Sequence, residues 1–286
     1  MKMQDVYLAF SVFIILFHLT YIMFGGQAMD YEGFKKEILK MSDIDLSLYK
    51  EKQMKRRIDS LIRKNGYEHY EDYVQALKQD SGLYNEFINY LTINVSEFYR
   101  NPDQWEVLRD QIIPMLLQRS STLKVWSSAC STGDEPYTLA MVLNEYMPLS
   151  RINILATDID AEALRKAKDG VYSEKSLEKL PEKYLKDFFI KEGNTYRVKD
   201  ELKRCVEFSR LNLLRDPYPD GCDLIVCRNV LIYFTEEAKS QIYMRFNRAL
   251  KDGGVLFIGS TEQIIMSAKY KLTPIKTFFY VKDGDI

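Results

Sequence analysis

The sequence predicts an α/β protein: a doubly wound parallel sheet, preceded by an all-helical domain and interrupted by a small insertion. Three observations carry this reading. From Asp30 to about Gln118 apolar residues recur at helical spacing, as in Met54, Ile58, Leu61 and Ile62, then Tyr73 and Leu77, then Phe87, Ile88 and Leu91. From Leu123 onward short apolar runs alternate with helical stretches, the grammar of parallel strands joined by helical crossovers. The chain is 286 residues long, 46% hydrophobic and 28% charged, which suits a packed core rather than a disordered polymer.

Taken in order, residues 29–102 form the helical domain, with Gly66 and Asp80-Ser-Gly82 separating its helices. Residues 103–122 are a linker helix running from Asp103 to Leu117, and the sheet domain occupies 123–286. Strands are expected at Lys124–Ser128, Asn153–Thr157, Val206–Leu211, Leu224–Cys227 and Val255–Ser260. Helices are expected at Pro136–Tyr146, Ala161–Lys168 and Thr235–Leu250, the last closed by a C-cap turn at Lys251-Asp-Gly-Gly254. Thr277-Phe-Phe-Tyr-Val281 reads as an antiparallel edge strand. Residues 171–205 do not fit the alternation and are read as the insertion, with a helical piece at Ser176–Phe189 and an extended one at Thr195–Val198.

Composition removes several chemistries. Net charge is −1, so any attraction for nucleic acid or acidic partners must be local. Cys130, Cys205, Cys222 and Cys227 form no C-x-x-C pair and no cluster with zinc spacing, which fits scattered thiols in a reducing compartment. His18 and His69 are the only histidines, so a histidine base has little to draw on. Residues 6–24 carry no Asp, Glu, Lys or Arg, close to the roughly 20 residues that a membrane helix needs. Three readings of residues 1–28 stay open: a membrane anchor, a signal peptide ending near Gly25-Gly-Gln-Ala28, or translated upstream sequence before a start at Met29.

The first strand runs into Ser131-Thr-Gly-Asp-Glu-Pro136, a turn and a helix start with Pro136 in the favoured first turn. A pyrophosphate wants bare backbone N–H groups and the positive helix pole there, often on a G-x-G-x-x-G turn. This turn has one glycine, Gly133, and two acids, Asp134 and Glu135. Such acids can simply complement the helix dipole. A cationic nucleoside without phosphate, such as S-adenosylmethionine, fits them better than a pyrophosphate does. Asp158 ends the second strand, where an acid commonly meets ribose hydroxyls. Asn212 follows the third strand, placed for an adenine edge, and Arg228, Asn229 and Tyr233 leave the fourth at the same rim.

Five segments occur in order: Asn94-Val-Ser-Glu-Phe-Tyr-Arg100, Ala129-Cys-Ser-Thr-Gly-Asp-Glu-Pro-Tyr137, Ala156-Thr-Asp-Ile-Asp160, Cys227-Arg-Asn-Val-Leu-Ile-Tyr-Phe234 and Gly259-Ser-Thr-Glu262. Together they resemble the chemotaxis receptor methyltransferases, the CheR family, from about Tyr31 to the C-terminus. The resemblance implies a Rossmann-like S-adenosylmethionine-dependent methyltransferase sheet with a small inserted β-subdomain, which in some members tethers the enzyme to a receptor's C-terminal peptide. It implies methyl transfer to glutamate side chains on receptor signalling helices, giving 5-O-methyl esters. Carried over residue by residue, Asn94, Ser96 and Arg100 close over the cofactor. Glu135 and Asp158 hold its amino group or ribose, Asn212 and Leu213 its adenosine, and Arg228 and Asn229 form the rim. Arg100 and Tyr233 lie near the reacting methyl. The hydrophobic N-terminal segment is no part of the family pattern.

Lys55, Arg56, Arg57 and Arg63 make one helix locally basic, either as a solvated face or, with the resemblance, as a docking face for receptor helices. Aromatic interleaving is poor, which argues against nucleic acid. The chain is expected to act as a monomer at the inner face of the membrane, with contact through residues 6–24 if they persist. A cofactor-binding sensor and a nicotinamide-dependent oxidoreductase are the rival classes. Intact Arg100 and Tyr233 argue against the first, and the acidic single-glycine turn argues against the second.

Overall fold

The structure is a computed structural model that describes residues 29–284. Residues 1–28, with the hydrophobic stretch at 6–24, lie outside the described residues.

The strands are β1 (Val125–Ser127), β2 (Ile154–Asp158), β3 (Val171–Ser173), β4 (Phe189–Glu192), β5 (Thr195–Val198), β6 (Val206–Arg210), β7 (Cys222–Cys227), β8 (Leu250–Ile258), β9 (Leu272–Lys276) and β10 (Phe279–Lys282). Seven of them form one sheet in the order β6-β2-β1-β7-β8-β10-β9. The first five run parallel, and β10 is antiparallel to both of its neighbours. From β1 the chain builds outward through β2 and β6, then returns to β7 on β1's other side. The carboxyl ends of β1 and β7 therefore flank the switch point, where open α/β sheets bind ligands.

Every residue of β7 is buried, as a strand covered on both faces requires. Trp126 in β1 meets Tyr218 and Phe246 edge-on at 4.9 and 5.7 Å, and its indole N–H donates to Thr157 Oγ1 at 2.9 Å. That bond ties β1 to β2 by side chains as well as by the ladder. The helix Asp134–Leu143 covers the sheet so closely that only Glu135 among its residues escapes full burial.

Two compact units divide the described chain. One contains the residues up to Ser47 with Glu51–Tyr84; the other contains Leu48–Lys50 with everything from Asn85 onward. The first unit is helical, with Tyr31–Ser42, Glu51–Lys64 and Tyr70–Gln79. Asp30 caps its first helix by accepting from Gly33 N at 2.8 Å. Phe34, Ile38, Met54, Ile58, Leu61, Ile62, Tyr73, Val74 and Leu77 are among its buried apolar residues.

The expected elements are present, with differences of detail that have physical causes. The linker helix is not uniform: Pro102–Val107 leads into a π turn at Leu108–Ile112 and then Ile113–Leu117. Pro114 has no N–H to give the preceding turn, and Ile113 N reaches back five residues to Leu108 O. Lys251–Gly254 is not a cap turn. The helix Glu236–Ala249 stops before Leu250, which is already extended, and the following residues form an irregular start to β8 with Gly253 at φ +74°. The 277–281 strand is interior rather than at the edge, because β9 pairs outside it. β9 was hidden by Pro274, whose missing N–H suits an edge strand. Within 171–205, β3, β5 and β4 make a separate antiparallel sheet, with the short helix Glu182–Phe188 beside them.

Candidate active site

Three loops meet at the switch point. The first, Ser128–Gly133, is stitched to both neighbouring strands: Ser128 N donates to Val226 O and Cys130 N to Thr157 O, each at 2.9 Å. It ends at Gly133 with φ +93°, where a Cβ would lie 2.9 Å from both Ala167 Cβ and Tyr172 Oη. Glycine is needed there for its backbone and for its lack of a side chain.

The two acids that follow part company. Asp134 is 1% exposed, and its carboxylate accepts from Thr132 Oγ1 at 2.6 Å. Burial raises its pKa, while hydrogen bonds from Thr132 and Ser96 pull it back. It does not line the cleft. Glu135 does line it, with Oε1 accepting from Ser127 Oγ at 2.8 Å and Oε2 3.9 Å from Arg228 Nη1. Burial pushes the Glu135 carboxyl up to about 7, against the opposing pull of Arg228. Asp158, at the end of β2, is pushed up to about 6 by burial even though it accepts from Asp160 N at 3.0 Å and Ser131 N at 2.8 Å.

The second loop, residues 92–101, covers the cleft. Asn94 is held at both ends of its amide: Nδ2 donates to Asp160 Oδ2 at 2.6 Å and to Thr92 Oγ1 at 3.0 Å, and Oδ1 accepts from Ser131 Oγ at 2.9 Å. Arg100 donates from Nη1 to Val95 O at 3.2 Å, curling the loop on itself. Strain gathers here. Of nine non-glycine residues at positive φ among the described residues, Ile93, Tyr99, Asn101, Ser131 and Asn229 belong to these loops. Each costs on the order of 1–3 kcal/mol, so the surrounding bonds must fix the shape.

The third loop leaves β7. Arg228, expected at the rim, is instead 6% exposed, with its guanidinium over Trp105 at 5.2 Å and Phe257 at 4.8 Å. Aromatic faces on two sides draw the planar cation inward. Its Nη2 donates to Arg100 O at 2.7 Å, Gln104 Oε1 at 3.0 Å and Asn101 Oδ1 at 3.1 Å. Burial pushes its pKa down to about 10, which leaves it charged at neutral pH.

The loops border two adjoining chambers that open to solvent. The polar one, about 600 Å³, is lined by Asn94, Ser96, Arg100, Glu135, Asp158, Arg228, Asn229 and Tyr233. The other, about 540 Å³ and more apolar, is lined by Tyr49, Leu91, Leu211, Asn212, Leu213 and Phe234. Thr92, Ala129, Asp158, Val230 and Tyr233 border both. Every residue expected at the cofactor thus lines one chamber or the other. Lys55, Arg56, Arg57 and Arg63 do not; they lie on Glu51–Lys64 in the helical unit. Of these, Arg56 and Arg63 are exposed. Lys55 is bonded to Asp59 Oδ2 at 3.0 Å and lies beside the Tyr31 and Tyr70 rings, with 42% of its side chain still exposed.

Some site residues were not found by sequence reasoning. Tyr49 comes from far upstream; Lys50 N donates to Tyr233 O and Thr235 N to Leu48 O, and the Tyr49 and Phe234 rings meet at 4.9 Å. No sequence signal announces that pairing. Asp160 could have been found, since it caps the helix Ala161–Asp169 by accepting from Glu162 N and Ala163 N. Glu262 sits in a quoted motif without an assigned task.

The donor set fits S-adenosylmethionine. Buried carboxylates with raised pKa await positive charge, and the apolar chamber suits an adenine. Arg228 Nε, buried without a partner, is an N–H that an amino-acid carboxylate would satisfy. Fold and site together define a methyltransferase that uses S-adenosylmethionine. Two family models match, CheR methyltransferase, all-alpha domain at residues 29–92 and CheR methyltransferase, SAM binding domain at residues 94–279. A chemotaxis protein methyltransferase of Listeria innocua is 46% identical over 254 residues, spanning 88% of this chain and 97% of its own. One from Listeria monocytogenes is 45% identical over the same length, and one from Borreliella burgdorferi 36% over 251 residues, covering 80% of this chain and 88% of its own. The chain belongs to the CheR methyltransferase family.

Proposed function

We propose that the methyl acceptors are glutamate side chains on the cytoplasmic signalling helices of chemotaxis receptors, and that the products are 5-O-methyl esters. The observation that carries this is the placement of Arg100 and Tyr233 in a polar chamber whose lining includes no histidine. A carboxylate with a reference pKa near 4.3 is already an anion at neutral pH and needs no base. When bound, S-adenosylmethionine would supply a methyl group on a cationic sulfur, to be passed to the carboxylate oxygen with a neutral thioether as the leaving group.

The chain's own contribution is alignment and charge placement. Arg100 presents a guanidinium fork that matches an incoming carboxylate. Glu135 and Asp158 supply negative charge toward the ligand's cationic groups, Asn212 and Leu213 frame its base, and Asn94 and Ser96 hold the covering loop. Good alignment alone is worth on the order of 7 kcal/mol of barrier. Lys55, Arg56, Arg57 and Arg63 form the docking face for receptor helices, with Arg56 and Arg63 its exposed arginines. The enzyme works as a monomer at the inner face of the membrane. Among the described residues, no helix is long and apolar enough to cross that membrane.

Incubation with tritiated methyl donor and receptor-bearing membranes tests the proposal. The expected label is base-labile, as a methyl ester is, and Arg100→Ala abolishes most of it. Base-stable label, or near-normal turnover by Arg100→Ala, would count against the glutamate and arginine assignments respectively.

A further inference from the structure

We infer that Glu262 is a positioning residue for methyl transfer: its carboxylate holds the Asn229–Tyr233 turn in the shape that lines both chambers. The inference rests on the S-adenosylmethionine reading of the site. Glu262 is 6% exposed and lines neither chamber. Its Oε2 accepts from Asn229 N at 2.7 Å and Gly259 N at 2.9 Å, and its Oε1 from Leu231 N at 2.6 Å and Ile232 N at 3.2 Å.

Four backbone donors on one carboxylate are charge-assisted bonds in a shielded place, and three of them come from the turn itself. That turn needs the help. Asn229 is left-handed at φ +61°, and the single 3₁₀ turn Leu231–Tyr233 cannot satisfy its own leading N–H groups. The carboxylate is admitted by the lack of a side chain at Gly259, where a Cβ would lie 2.5 Å from Glu262 Oε2 and 2.8 Å from Asn229 N. Through this strut, a residue outside the chambers sets Asn229 in the polar chamber and Val230 and Tyr233 on the border of both.

Two variants of the full chain test the strut. Glu262→Gln keeps the size but turns an NH₂ toward two N–H donors, and Gly259→Ala pushes the carboxylate away without removing its charge. Leu272→Ala, at a fully buried position in β9, is a control that costs stability alone. The readouts are thermal unfolding, calorimetric binding of S-adenosylhomocysteine, and methyl-transfer kinetics with receptor-bearing membranes. Both strut variants are expected to bind about tenfold more weakly or worse and to lose kcat, with the KM for receptor unchanged. Their double variant is expected to lose less than the sum, because both act on one contact. Leu272→Ala is expected to lower the Tm and leave affinity intact. Binding within twofold of wild type in both strut variants, or an equal affinity loss in Leu272→Ala, overturns the inference. A wild-type chain that fails to bind S-adenosylhomocysteine overturns the cofactor reading, and the inference with it.

Discussion

Arg228 donates from Nη2 to the carbonyl oxygen of Arg100 at 2.7 Å, joining the loop after β7 to the loop that covers the cleft. The same nitrogen reaches Asn101 and Gln104, and the guanidinium lies over Trp105, which itself donates to Arg100 O at 2.9 Å. The backbone of Arg100 is therefore fixed from two sides while its side chain faces the polar chamber. Arg228 is thus expected to act on the chemistry both through Arg100 and through its own Nε.

Replacing Arg228 by lysine tests this division of labour. Lysine keeps the charge but loses the planar fork and the stacking. An unpaired acceptor at buried Gln104 costs about 1–3 kcal/mol, and less at half-buried Asn101. The expected outcome is a tenfold or larger fall in kcat, measured by initial rates, with the far-UV circular dichroism unchanged.

Binding of the cofactor should be linked to protons. Glu135 at about 7 and Asp158 at about 6 are partly protonated in the free protein near neutral pH, because burial disfavours their charged forms. A cationic ligand favours the ionised forms, so affinity is expected to rise from pH 5.5 to pH 8, with protons released. The folded-state pKa values lie above the unfolded ones, so each group's stability contribution is complete below its unfolded pKa. That contribution is lost as pH rises through about 6 to 7. The free protein's Tm should fall across that window, and the increment from S-adenosylhomocysteine should grow. Calorimetry in buffers of different ionisation enthalpy measures the proton count, and Glu135→Gln should reduce it.

Much of this was legible in the sequence, and the reasons are local. β1, β2 and β7 are buried apolar runs with helices after them, and Gly133 between a strand and two acids marks a turn wherever it occurs. Asp158 and Asn229 could be placed because strand ends define the rim of a parallel sheet. Arg228 could not be assigned its depth, since that depends on Trp105 and Phe257, both distant in sequence. Lys55 looked like its basic neighbours, because its bond to Asp59 and its place beside Tyr31 and Tyr70 exist only once the helices pack. Tyr49 was illegible, and so was the task of Glu262 within its visible motif, because the partners of both are brought near only by folding.

Gly133 offers a sharper test of the first loop. A side chain there meets two faults at once, the φ of +93° and overlap with Ala167 and Tyr172. Gly133→Ala is expected to cost about 1–3 kcal/mol from the backbone alone, with more from the overlap. Thermal unfolding should show the loss. Affinity for S-adenosylhomocysteine should fall with it, because Ser131 and Glu135 flank the displaced residue. A variant with wild-type Tm would show that the turn accommodates the methyl group.

The proposed docking face divides by how each cation is paired. Arg56 and Arg63 are solvent-facing on Glu51–Lys64, whereas Lys55 is held by Asp59 and by hydrogen bonding with Tyr70, which together raise its pKa. Reversing charge at Arg56 and Arg63 together should raise the KM for receptor-bearing membranes several-fold. The effect should fade at high salt, since exposed charges act through a field screened within about 10 Å at 0.1 M. Binding of S-adenosylhomocysteine should not change, because neither arginine lines a chamber. Lys55→Gln should do the reverse, lowering the Tm through lost contacts to Asp59, Tyr31 and Tyr70 while leaving the receptor KM near wild type. If Lys55→Gln raised that KM as much as the double reversal did, the Asp59-paired lysine would carry as much of the docking as the two arginines.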